Sequence, residues 1–141
     1  MADNQFKFDQ SRAEDFELIL SVGDPLAPDG LTRAELSGNG SLVIEQQHEK
    51  EISETYRVEI DRESAERLLR QAAGFEWERG FPSRQGLPDE AVVHWTLKDR
   101  AGAAINVRIW LRDTEKNPIM APVLEELRKI VDRVTNGKLY L

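Results

Sequence analysis

Cysteine is missing altogether from the 141 residues. That excludes a disulfide framework, a thiolate nucleophile and a zinc-thiolate site, and it leaves redox chemistry silent on compartment. Histidine is scarce, His48 and His94 being the two present. Positive charge is also in short supply: 19 Lys and Arg stand against 26 Asp and Glu, for a net charge of -7 and a pI near 4.9. A nucleic-acid binder neutralises phosphates with a basic face, so nucleic acid is not an expected partner. Arg57, Arg62, Arg67, Arg70, Arg79 and Arg84 do cluster, but Glu59, Asp61, Glu63, Glu66, Glu76 and Glu78 interleave them, as on a salt-bridged surface.

Long apolar runs are absent too. No window approaches the roughly 20 apolar residues of a membrane-spanning helix, and MADNQFKFDQSRAEDF has neither a basic nor an apolar leader region. The reading is no membrane and a cytoplasmic location. Catalytic signatures are missing as well. There is no GxSxG, HxxxH or HExxH spacing, and Gly38-Asn39-Gly40 runs into a strand, whereas a phosphate cradle opens a helix. His48 sits among Glu45, Glu49 and Glu51, which suits a hard metal in composition, but no second nitrogen ligand is near it. No catalytic residue, cofactor or metal is assigned.

What the chain does have is alternation. In AVVHWTLKDRAGAAINVRIWL, residues 91–111, apolar residues recur with period two on both sides of a turn, the pattern of a long β-hairpin. Val93, Trp95 and Leu97 share a face with Ile105, Val107, Ile109 and Leu111. Facing Leu97 with Ile105 and Trp95 with Val107 leaves the loop Arg100-Ala101-Gly102, Gly102 taking the left-handed position. On the second face His94 then meets Arg108 and Val92 meets Trp110.

Phe16 to Val22 alternates as a first strand. Leu31–Leu36 and Ser41–His48 make a hairpin around SGNG, with Leu36 opposite Leu42, Ala34 opposite Ile44, and Arg33 opposite Glu45 as a cross-strand charge pair. A fourth strand over Glu54–Ile60 runs into Asp61, a natural N-cap for a helix over Arg62–Ala73 that Gly74 closes. Met120, Val123, Leu124, Leu127, Ile130, Val131 and Val134 keep helical spacing before Gly137; Asn117 and Pro118 resemble an N-cap and first turn, and Pro122 places the regular helix nearer Ala121.

The expected fold is therefore α+β. An antiparallel sheet of about six strands in ββββαββα order carries two helices on one face. A mobile acidic tail over 1–15 precedes a single domain over 16–141. The parallel βαβ alternation of nucleotide-binding sheets is absent.

FEWERGFPSRQGLPDE, residues 75–90, is longer than most structureless loops and is aromatic, with Trp77 and Phe81 among arginines. Together with Val92, His94, Arg108 and Trp110 on the outer sheet face, these two residues form a candidate surface for another protein or a second copy. Phe6, Phe8 or the 75–90 loop folding over Trp110 would make it ordinary core instead, and packing within their own loop would account for Trp77 and Phe81. A rival reading is a small-ligand protein or enzyme with a pocket between the sheet and the last helix, using Trp95, Tyr56 and the 75–90 loop as a lid.

The order of elements, a Gly-rich early hairpin, YRVEIDRESAERLLRQAAGF as a strand running into a helix, a long loop, then a hairpin and a helix, resembles the emfourin-like small bacterial proteins over about Phe16 to Val134. The known member of that family inhibits a metalloprotease. The family's short glycine-phenylalanine signature is replaced here by SVGDPLAPDG, so no binding residue is carried over. The resemblance implies a non-enzymatic, protein-binding role such as inhibitor, immunity-type or adaptor protein.

Overall fold

The computed structural model describes residues 8, 10–24, 26–28, 30–75, 91–139 and 141. Six strands form one antiparallel sheet: β1 (Glu17–Gly23), β2 (Leu31–Ser37), β3 (Ser41–His48), β4 (Glu51–Glu59), β5 (Val92–Lys98) and β6 (Ala104–Trp110), in the spatial order β4-β3-β2-β1-β5-β6. The first four strands follow one another as neighbours. Helix α1 (Arg62–Ala73) and the residues after it return the chain to the far side of β1, where β5 pairs and β6 extends the sheet. The helices α2 (Leu111–Lys116) and α3 (Met120–Thr135) complete the element order.

Both expected hairpin registers are present. Leu97 faces Ile105, Trp95 faces Val107, and Asp99 N–H donates to the Ala103 carbonyl at 2.8 Å, closing a loop whose Gly102 has φ +97°. Leu36 faces Leu42 and Ala34 faces Ile44. Arg33 does stand opposite Glu45, but its guanidinium pairs with Glu35 at 2.6 Å, two residues along its own strand, so the expected cross-strand ion pair is redirected. On a pleated strand residues i and i+2 share a face, which puts Glu35 within reach of the long arginine stem.

Alternation places Leu18, Leu20, Ala34, Leu36, Leu42, Ile44, Val93, Trp95, Leu97 and Ile109 on one face, where Ala65, Leu68, Leu69 and Ala72 of α1 and Met120, Val123, Leu124, Leu127, Ile130 and Val131 of α3 cover them in one continuous core. Each large aliphatic side chain so buried contributes about 1.5–3 kcal/mol.

The caps follow from the sequence. Asp61 accepts the Ser64 N–H at 3.2 Å, and Asn117 Oδ1 accepts the N–H groups of Ile119 and Met120 at 2.9 Å each. Pro122 falls in the first turn of α3, where a missing donor costs nothing. Asn136 and Gly137 end that helix at φ 53° and +76°.

Within the stretch read as an acidic tail, residues 10–15 form 3-10 turns kinked at Arg12 (φ -128°, ψ 39°), with Ala13 fully buried. Asp15 holds Arg12 at 2.7 Å and Arg100 at 2.9 Å, the Phe8 and Phe16 rings meet tilted at 50° with centroids 4.5 Å apart, and Gly38 N–H donates to the Phe16 carbonyl at 2.9 Å. Gly38 permits this because a Cβ there would run into the Ala13 carbonyl and Glu14 Cα. The segment carries too few apolar residues to show a period, so tertiary packing alone specifies it.

Candidate functional site

The strand pairings fix which residues share a row across the face of the sheet opposite the described helices α1 and α3. One row runs Thr55, Glu45, Arg33, Ser21, His94, Arg108 from β4 to β6. The row on one side of it runs Arg57, Val43, Glu35, Ile19, Thr96, Asn106, with Thr96 Oγ1 donating to Asn106 Oδ1 at 2.7 Å. On the other side Ile52, Gln47, Leu31 and Gly23 are aligned from β4 to β1, and Val92 faces Trp110 across β5 and β6. A register shift at Gln46/Gln47 is what turns Ile52 onto this face.

Four of the six residues expected to bind a partner are thereby brought together: Val92, His94, Arg108 and Trp110 occupy two adjoining rows of β5 and β6. His94 and Arg108 are exposed, Val92 and Trp110 half-buried. Trp77 and Phe81, with Phe6 and the body of the 75–90 loop, lie outside the described residues. Phe75, at the start of that loop, is buried in the core.

Desolvation first, and then the Arg108 guanidinium beside it, hold the His94 imidazole below its ordinary value of 6.5. The folded state therefore binds this proton less readily than the unfolded chain. The associated stability is present above pH 6.5 and is lost as pH falls through the lowered value. In an NMR titration of the two histidines, His94 should titrate below 6.5 and move upward in Arg108→Gln. An unmoved midpoint would separate the two side chains.

His48 is engaged within the protein. Its Nε2 faces the Pro28 carbonyl at 3.2 Å and its Nδ1 the Ser53 hydroxyl at 3.1 Å, while Ser53 also reaches the Gln46 carbonyl at 3.2 Å. A carbonyl can only accept, so the Pro28 contact is a hydrogen bond in the tautomer that carries its hydrogen on Nε2. The ring links the β1–β2 connection to the β3–β4 turn. No three of His, Asp and Glu are gathered as a metal-ligating group among the described residues.

Where the rival reading puts a pocket, between the sheet and α3, Trp95, Met120, Leu124 and Leu127 are all buried to within 1%. Among the described residues, recesses lie at the ends of the sheet, about 220 Å³ at Arg12, Phe16 and Arg100, and about 720 Å³ beside His48. Alternation along strands cannot reveal either, since both are built from turns that meet only in the fold. No helix among the described residues is long and apolar enough to cross a membrane. Comparison of the chain with models of known protein families and with curated proteins finds no match.

Proposed function

We propose that this chain is a non-catalytic protein-interaction domain that engages another protein with the open face of its sheet. The observation carrying this reading is the alignment of Val92, His94, Arg108 and Trp110 in adjoining rows of a face that the helices leave uncovered. Tryptophan and arginine over a mixed apolar and polar surface are the usual anchors of such contacts. The resemblance in element order to emfourin-like inhibitors points the same way. The rival reading, a pocket between the sheet and α3 under a lid of residues 75–90, rests on a segment outside the described residues.

The partner is a different protein or a second copy, and one pair of baits tests both. The parent and an Arg108→Glu, Trp110→Lys variant are used for affinity capture from the source cells, and each is weighed by light scattering. A protein recovered by the parent and lost by the variant, or a dimer reduced to monomer, supports the sheet face. Identical recoveries together with identical masses would remove it.

A further inference from the structure

The recess of about 720 Å³ is lined by none of Val92, His94, Arg108 and Trp110, so its role is argued apart from the sheet-face reading. One wall is the β1–β2 connection, Leu26, Ala27 and Pro28; the other is the β3–β4 turn, His48 to Glu51. Both walls carry hydrogen bonds among their described residues. Asp24 accepts from the N–H groups of Leu26 through Oδ1 and Ala27 through its carbonyl, each at 2.9 Å, and Gly30 N–H donates to the Ala27 carbonyl at 2.9 Å. His48 bonds Pro28 on one side and Ser53 on the other. Gly30, at φ +70°, is packed so closely that a Cβ would meet the Gln47 carbonyl at 2.6 Å and the His48 ring at 2.9 Å.

On this fixed frame Leu26 is 76% exposed. An apolar side chain that a turn holds out in water at a set angle is already organised for contact, and ordering it costs a partner little. The volume falls within the range of about 300–1,000 Å³ typical of binding clefts. Among the described residues the charged lining leans acidic, with Glu49 and Glu51 against Lys50. Glu49 keeps φ 53°, where glycine or asparagine would sit at lower cost, and still supplies a carboxylate. Both His48 nitrogens, the groups best able to orient a small polar ligand, are already spent on the protein itself.

We infer that this cleft docks an extended peptide segment of a partner protein, seating one apolar side chain against Leu26 and Pro28 with flanking lysine or arginine at the acidic rim. Attraction of the basic flanks speeds encounter and weakens with salt, while the apolar anchor sets the lifetime of the complex.

The test uses the full chain and a fluorescein-labelled lysine-leucine-leucine-lysine peptide, followed by anisotropy and by amide NMR shifts at low ionic strength. Binding should perturb residues 24, 26–28 and 48–51. It should weaken by about ten-fold or more in Leu26→Asp and in Glu51→Lys, both exposed positions, and likewise for glutamate-leucine-leucine-glutamate and lysine-glycine-glycine-lysine peptides. Arg108→Glu should bind as the parent does, which separates this site from the sheet face. No binding at millimolar peptide, equal binding of the acidic peptide, undiminished binding by Leu26→Asp, or shifts confined to β5 and β6 would each overturn the inference.

Discussion

Trp95→Ala should cost about 3–5 kcal/mol of folding stability, the range for deleting a large aromatic from a packed core. That is a large share of the roughly 5–15 kcal/mol that holds most domains together. Trp95 is wholly buried, pairs with Leu20 on β1 and Val107 on β6, and lies on the side of the sheet that α1 and α3 cover. Removing the indole leaves a void that rigid strands on both sides cannot close. Its Nε1 adds a second arm, because it is buried and meets no hydrogen-bond partner among the described residues. An unpaired buried donor carries a penalty of about 1–3 kcal/mol, which Trp95→Phe removes while keeping most of the ring volume. Urea unfolding should therefore place the Phe variant much nearer the parent than the Ala variant. Equal losses in the two would mean that the indole N–H finds an acceptor in solution.

Gly40→Ala should be nearly as damaging, for a backbone reason. Gly40 has φ +101°, and a Cβ built there would stand 2.5 Å from the Ile60 carbonyl oxygen. The backbone strain alone is worth about 1–3 kcal/mol, and forcing the carbonyl aside adds about 1–3 kcal/mol. Ile60 N–H also donates to the Gly40 carbonyl at 2.8 Å, and the next residue, Asp61, caps α1. Displacement at one turn therefore spreads to the start of a helix. Gly102→Ala is the matched control, since Gly102 has φ +97° but nothing within 4 Å of the added carbon. The gap between the two unfolding midpoints isolates the steric part. If Gly40→Ala is no worse than Gly102→Ala, the close approach of Ile60 carries no energy.

Period-two alternation around short glycine turns makes the hairpins readable from the residues alone, because a slip of one position would send Trp95 and Leu97 to water. The same logic sets His94 against Arg108 and Val92 against Trp110, so the composition of the open face at β5 and β6 is legible. Strand order is not, because nothing local states that β5 docks beside β1. The ordered segment at Gln10–Asp15 leaves no signal, since its only deeply packed described residue is Ala13 and what admits it is the bare Cα of Gly38. Arg33 takes Glu35 over Glu45 through side-chain reach, which register does not decide. The cleft beside His48 depends on residues 26–28 meeting residues 48–51, two turns that the sequence marks as punctuation and nothing more.

The order β4-β3-β2-β1-β5-β6 leaves two strands at the rims of the sheet, and they are defended unequally. Among the described residues, neither has a strand on its outer side. β4 carries Glu51, Glu54, Arg57 and Glu59 in nine residues, whereas β6, AINVRIW, carries Arg108 alone in seven. A short, apolar, weakly charged strand at a sheet rim is a template for edge-to-edge aggregation, and a charged residue is a usual gatekeeper against it. By that rule Arg108, one of the residues proposed for the sheet-face contact, is also the charge placed to keep β6 from pairing with the edge of a second copy.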